Sequence, residues 1–232
     1  LGFEFDPVKH LTLNLEGYFK YFPQLTNINR NKIFDDNADN TDKPDYLKKD
    51  FIIESGDAEG VDFSVKYDYK NIYLWVVYSL SFIHKWDGIT DYVPHYDRRH
   101  NINIVTSYNF GENYEWGVDV RWNLGSGFPF TPTQGYYEDI TFADGVNTNY
   151  TNANGQLGTI YADLNSARLP YYHRLDVTIK RHFILGQYSG LDAIISITNL
   201  YNRENIFYKD RITGEKVNQL PIMPSVGLNL TF

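Results

Sequence analysis

The residues able to do chemistry are few and scattered. Six histidines stand at His10, His84, His95, His100, His173 and His182, and none forms a pair at helical or finger-type zinc spacing. His95 and His100 flank Asp97, but a metal site is defined by geometry and not by nearness in sequence. The plainer role for His100 and His173 is hydrogen bonding at a water-facing rim. No cysteine is present, which removes disulfides, thiolate metal sites and a cysteine nucleophile. Ser126 lies in Gly125-Ser126-Gly127, a Gly-rich turn without the strand-to-helix context of a hydrolase nucleophile. Asp62, Asp119 and Asp176 alternate with apolar residues and share their face with Lys66, Arg121 and Lys180, the pattern of ionic ladders facing water. No nucleophile–base constellation and no cofactor motif emerges, so the chain reads as a non-enzyme. One metal candidate stands out. Asp35, Asn37 and Asp39 reproduce the first three ligand positions of a calcium loop, after which Asn40 replaces the Gly and Tyr46 sits where the bidentate Glu belongs. The competing reading is a solvated, Asx-rich loop.

The elements that must position these residues are strands. Leu11, Leu13 and Leu15 alternate with Thr12, Asn14 and Glu16; Val61, Phe63, Val65, Tyr67 and Tyr69 alternate with polar residues. Trp116 to Leu124, Leu175 to Ile179 and Val226 to Phe232 do the same. Successive side chains on a strand point to opposite faces, so each run has one apolar and one polar face. No stretch shows helical spacing, and none approaches the ~18 apolar residues of a spanning helix.

The 232 residues carry 21 basic and 29 acidic side chains, a net charge of −8, and have no basic block, which argues against a nucleic-acid partner. Aromatic residues make up 17% of the chain, with 20 Tyr, an excess that a soluble domain does not explain.

The connections sharpen the reading. Tight turns fall at Asp6-Pro7-Val8-Lys9, near Lys70-Asn71, at Gly111-Glu112-Asn113 and at Gly186-Gln187-Tyr188-Ser189. Long polar connections fall at about 26–48, 85–96, 125–167 and 202–219, strictly alternating with the short ones. Nine strands follow, roughly 1–5, 10–25, 49–70, 72–84, 97–110, 114–124, 168–185, 190–201 and 220–232. In an up-and-down sheet every short turn then lies at one end and every long loop at the other, the asymmetry of outer-membrane barrels. Several segments exceed the about 9–11 residues needed to cross a bilayer. Aromatics (Tyr18, Phe19, Tyr21 and Phe22; Tyr108 and Phe110; Tyr114 and Trp116; Tyr171 and Tyr172) fall where strands would leave hydrocarbon. The expected fold is all-β, a transmembrane antiparallel up-and-down β-barrel sector. Its lipid face is expected to include Leu11, Leu13, Leu15, Val118, Val120, Leu175, Val177, Ile179, Ala193, Ile195, Ile197, Val226, Leu228 and Leu230.

The final segment, Leu220-Pro221-Ile222-Met223-Pro224-Ser225-Val226-Gly227-Leu228-Asn229-Leu230-Thr231-Phe232, resembles the last strand of TonB-dependent outer-membrane receptors of the Bacteroidetes type. Arg168-Leu169-Pro170-Tyr171-Tyr172-His173-Arg174-Leu175-Asp176-Val177 resembles that family's third-last strand, and Ile197-Thr198-Asn199-Leu200-Tyr201-Asn202-Arg203-Glu204-Asn205 its second-last strand running into a loop. Tyr96-Asp97-Arg98-Arg99-His100-Asn101 looks like another strand start, and Glu59-Gly60-Val61-Asp62 is similar to a weaker strand motif, with Asp62 in place of the usual Glu.

The resemblance implies a barrel of about 22 strands behind a plug domain, of which residues 1–232 supply a C-terminal sector of about nine. No plug-like region, energy-coupling motif or export signal is read in this chain. Nine antiparallel strands cannot close on themselves, so the chain is expected to need further strands; a small barrel or one member of a multi-chain barrel is the alternative. The resemblance also implies a Gram-negative outer-membrane location and uptake of an iron chelate, a cobalamin-like compound or a glycan. The implied partners are outer-membrane lipid, the missing strands and plug, the TonB system acting through them, the barrel assembly machinery and a surface lipoprotein. Val226, Leu228, Leu230 and Phe232 look like the signal presented to that machinery. The other function class is a scaffold or passive pore.

Segment 125–167 shows no strong alternation and far exceeds the ~12–15 residues at which structureless loops become unusual and are often functional. It offers Phe128, Phe130, Tyr136, Tyr137, Tyr150 and Tyr161 among Asn, Thr and Gly, a composition suited to recognising small polar molecules. A disordered or lipopolysaccharide-contacting loop is the alternative.

Overall fold

The computed structural model describes residues 1–139, 156–186, 188–210 and 212–232; Tyr150 lies outside them. Nine strands form one antiparallel sheet in chain order: β1 (Gly2–Val8), β2 (Leu11–Ile28), β3 (Phe51–Tyr69), β4 (Ile72–Trp86), β5 (His100–Phe110), β6 (Trp116–Gly125), β7 (Tyr172–Ile184), β8 (Gly190–Thr198) and β9 (Met223–Thr231). Each strand pairs with its predecessor, so the sheet is up-and-down throughout. β1 and β9 are each hydrogen-bonded along one edge only, and the sheet is open.

The registers convert the sequence alternation into two continuous faces. Leu13, Val65, Val76, Ile104, Trp122 and Leu175 stand in one row across β2 to β7. One residue along, Asn14, Ser64, Val77, Asn103, Asn123 and Arg174 form the adjacent row on the opposite face. The fourteen residues expected to face lipid all fall on the apolar face. That face is bare: Val226 is 77% exposed, Leu228 71% and Ile195 54%. Prolines apart, Ile52 and Tyr92 are the only buried hydrophobic side chains among the described residues, whereas Glu54, Asp97 and Asn199 are fully buried. A water-soluble domain places its apolar side chains the other way round. Exposed apolar strands with a polar, hydrogen-bonded opposite face are the arrangement of a sheet whose outer solvent is hydrocarbon.

The polar face holds the ionic ladders. Asp176 lies opposite Arg121 in the register and accepts from Arg174 at 2.9 Å, while Thr178 and Ser196 hydroxyls bond at 2.8 Å. Tyr18, expected in an interfacial aromatic belt, belongs to this face. It lies over Gly60, where an added Cβ would come within 2.6 Å of the Tyr18 hydroxyl and of the Leu80 carbonyl, so the ring fills a notch only glycine leaves. The belt is better formed at the short-turn end, where Tyr108 and Phe110 stack at 5.7 Å and Phe110 and Trp116 at 6.2 Å.

The turns depart from expectation in one place. β1 continues through Pro7 to Val8 with a bulge after Phe5, and the reversal falls at Lys9-His10, with His10 at φ 71. Proline lacks a ladder donor but is tolerated on an edge strand at a bulge. At the other end, residues 97–99 and 168–171 lie outside the nine-stranded sheet, Ala167 and Arg168 pairing instead with Phe130 and Pro129. Within segment 125–167, where no strand is expected, Thr133–Asp139 pairs antiparallel with Gln156–Tyr161.

A lysine at Val177, mid-strand on the apolar face, should cost about 2–4 kcal/mol at the bilayer centre, whereas lysine at the adjacent Thr178 faces water. In the full-length protein, Val177→Lys is expected to reduce the heat-modifiable, membrane-inserted fraction and Thr178→Lys to leave it near wild type. Equal tolerance at both positions would contradict the facial assignment.

Candidate ligand-binding site

All four long connections lie at one end, and buried polar junctions tie them together. The central one is Asp97. Its carboxylate accepts from Arg168, from Arg99 Nε at 2.9 Å and from the backbone N–H of Ile83 at 3.1 Å, and it is fully buried. Arg168 also donates to the carbonyls of Asp97 and Gly127, each at 3.2 Å. Two sequence segments 71 residues apart thereby become one joint.

The glycines of Gly125-Ser126-Gly127 make room for it. A Cβ on Gly125 would meet the Arg98 guanidinium at 2.5 Å, and one on Gly127 would overlap the Leu169 carbonyl at 1.5 Å. Ser126 contributes a structural bond, its Oγ accepting from the His100 N–H at 3.1 Å. Arg98 lies over Phe128 at 4.2 Å and Tyr172 at 5.7 Å, and its burial pulls its pKa down.

A second junction fixes loops 29–50 and 87–99. Glu54 accepts from the Tyr92 hydroxyl at 2.8 Å, Arg30 at 3.1 Å, Asn27 at 3.0 Å and Lys85 at 3.2 Å. Arg30 also reaches Asp87 at 3.2 Å. Burial pushes the Asp87 carboxyl up, but the N–H groups of Thr90 and Ile89 and the Arg30 guanidinium outweigh it, and its pKa is lowered. A lowered carboxyl pKa contributes stability that is present above the unfolded value and lost as pH falls through the folded one. This joint therefore holds at neutral pH and loosens only as pH falls through the ordinary carboxylate range and below it.

The third junction is built from asparagines. Asn199 takes φ 54 just after β8, and its buried side chain accepts from the Arg203 N–H at 3.0 Å and donates to the Arg203 and Leu220 carbonyls at 2.9 and 3.1 Å. Asn205 bonds both the N–H and the carbonyl of His173, at 3.1 and 2.9 Å, as a strand neighbour would. Above this base rises a hairpin of Ile206–Lys209 with Lys216–Asn218.

Between the two hairpins and loop 87–99 lies a cavity of about 1140 Å³. Phe128, Phe130, Tyr136 and Tyr161 line it, joined by Phe207 and Tyr208 from the last loop and His95 and Tyr96 from the earlier one. The Tyr136 hydroxyl donates to the Ile212 carbonyl at 3.0 Å, which closes one wall. Asn165 donates to the Val93 carbonyl at 2.8 Å and braces another. The site offers aromatic faces with hydroxyls and backbone groups, suited to a ring-bearing polar molecule.

Four of the six aromatics expected in a ligand loop thus converge. Tyr137 instead packs on Gly158, its register partner, where a Cβ would lie 2.4 Å from the ring. Phe207, Tyr208, His95 and Tyr96 were not legible as site residues, because only the folded loops bring them alongside residues 128–161. In the calcium candidate, the Asn37 side-chain oxygen accepts from the N–H of Asp39 at 3.1 Å and so caps the short turn Ala38–Asn40. Asp35 is turned outward near Lys32, at 3.9 Å. Among the described residues no three His, Asp or Glu side chains converge as a metal site. Val226, Leu228 and Leu230 share the apolar face of β9, and Phe232 follows it, 95% exposed.

The fold is an open, up-and-down antiparallel sheet of nine strands, the architecture of a sector of a larger β-barrel. No family model and no curated protein matches the chain. Among solved structures it is similar to a chain of the FpvAI–pyocin S2 complex, at 12% identity and TM-score 0.55, covering 99% of this chain and 25% of that one. It is also similar to the ferripyoverdine receptor of the outer membrane of Pseudomonas aeruginosa bound to ferripyoverdine, at 12% identity and TM-score 0.53, covering 96% and 24%. The chain spans about a quarter of the length of these structures, and the likeness at this identity is one of fold.

Replacing Asp97 with Ala strands two arginines at the centre of the loop platform. The expected loss is about 3 kcal/mol, the low end for breaking a buried ion pair, because both arginines keep some contact with water. In the full-length protein, Asp97→Ala should make segment 126–171 readily cleaved by protease while the strands stay protected. Unchanged loop protection would contradict the joint.

Proposed function

We propose that this chain is the C-terminal barrel sector of a TonB-dependent receptor of a Gram-negative outer membrane, and that its long-loop cavity meets a nutrient at the cell surface. The observation that carries this reading is the aromatic cavity, assembled from three separate loops at the one end to which every long connection is sorted. Strand motifs resembling those of Bacteroidetes receptors and the fold likeness to a ferripyoverdine receptor support it. An iron chelate, a cobalamin-like compound or a glycan suits the cavity's size and its aromatic and hydroxyl lining. Energy coupling and gating belong to the plug and upstream strands of the whole protein, and the chain itself contributes no catalytic step. The last strand, with Val226, Leu228, Leu230 and Phe232, serves insertion by the barrel assembly machinery.

The test is made on whole cells with the full-length protein, with surface abundance measured in parallel. Phe130→Ala combined with Phe207→Ala removes one aromatic lining residue from each of two loops, and each such truncation is worth on the order of 1–2 kcal/mol. Binding and uptake of the nutrient should weaken at least about tenfold at unchanged surface abundance, and uptake should vanish when the energy-coupling system is removed. Normal uptake by the double variant would reject the cavity as the capture site, and coupling-independent uptake would make the barrel a passive pore. Deleting Phe232 should instead lower surface abundance itself; normal abundance would remove the assembly role.

A further inference from the structure

Within the strands, lysines and arginines alternate onto the polar face: Lys20, Lys66, Lys85, Arg121, Arg174 and Lys180 all lie there. Arg181 is the exception among the described residues. The register places it opposite Trp116 of β6 and Ala193 of β8, and Ala193 in turn lies opposite Leu228. It therefore stands on the exposed apolar face, three residues before β7 ends at the short-turn side. Its guanidinium carbon sits 4.6 Å from the Trp116 ring centroid and 4.7 Å from that of Phe183. Among the described residues its guanidinium makes no hydrogen bond and no ion pair. The Glu115 carboxylate feels its charge but is engaged by the Asn113 N–H at 3.0 Å.

An unpaired guanidinium on a lipid-facing surface needs an anion. A charge at the bilayer midplane is costly, but the cost falls to about 0–1 kcal/mol near the interface. Arg181 lies at the level of the stacked belt formed by Tyr108, Phe110 and Trp116, where headgroups begin. The two rings hold the planar group by cation–π contact and leave its donor edge free. That edge matches two oxygens of a phosphodiester, and the apolar surface of Ile179, Ala193 and Leu228 beneath it suits acyl chains.

We propose that Arg181, clamped by Trp116 and Phe183, binds the phosphodiester of one phospholipid in the leaflet adjoining the short turns. The proposal rests on the reading of the chain as an outer-membrane barrel sector, but not on what the barrel transports. The site would tie the β6–β7–β8 region to a single annular lipid.

The full-length protein, purified in detergent and titrated with phosphatidylglycerol, provides the test by native mass spectrometry. The wild type should retain one phosphatidylglycerol that Arg181→Gln loses, with the one-lipid adduct falling about tenfold. Lys180→Gln, which removes a neighbouring charge from the opposite face, should retain it. Equal adducts in wild type and Arg181→Gln, or equal loss in both variants, would overturn the proposal. A second comparison needs no variant: the wild type should retain phosphatidylglycerol over diacylglycerol of the same chains, and equal retention would also overturn it. Nutrient uptake, measured separately, should be unaffected by Arg181→Gln, so a failed lipid result and a failed transport reading are told apart.

Discussion

Hydrocarbon offers a backbone N–H or carbonyl no partner, and most of this structure follows from that. Each strand must bond a neighbour on both sides, so the chain runs up and down through nine strands with no excursion inside the sheet. The same solvent dictates the side-chain distribution. Val226, Leu228 and Ile195 are bare on one face, while on the other the Thr178 and Ser196 hydroxyls bond each other and Asp176 accepts from the Asn199 N–H. The unpaired edges of β1 and β9 are then the strongest demand the sheet makes, since each presents a row of donors and acceptors that only further strands can satisfy.

At the long-loop end water returns, and the organising force becomes the cost of burying charge without partners. Asp97 and Glu54 are fully buried, and each gathers donors from more than one loop. A carboxylate in such a place fixes geometry because every donor must be present at once. Three connections that could have moved independently are thereby held as one platform, the last loop joins it through the Tyr136 hydroxyl on the Ile212 carbonyl, and the aromatic cavity is what that platform leaves between its hairpins.

Much of the fold was legible because period-2 alternation and loop length are direct readouts of a sheet with two solvents. Leu175, Val177 and Ile179 could hardly face anywhere else. The site was legible only in part. Phe128, Phe130, Tyr136 and Tyr161 stood out by composition within one long segment, but Phe207, Tyr208 and Tyr96 belong to other loops, and no local pattern announces a convergence of residues more than thirty positions apart. Tyr18 and Tyr137 misled for a shared reason: each fills the space above a glycine on the adjoining strand, at Gly60 and Gly158, and aromatic content alone does not distinguish a ring packed on glycine from one at a membrane boundary or in a cavity. The pairing of Asp97 with Arg168 was carried by two recognisable segments, yet nothing in either sequence says that they meet.

The central proposal is that the sheet crosses an outer membrane with its long loops outside and its short turns inside. The chain contains no cysteine, so single cysteines can be placed at both ends in a full-length background kept free of others. Asp42 lies in a long loop and Glu112 in a short turn, and both are exposed. With a membrane-impermeant maleimide on intact cells, Asp42→Cys is predicted to label, and Glu112→Cys to label only after the outer membrane is permeabilised. Labelling of both alike on intact cells, or in the reverse order, would contradict the account.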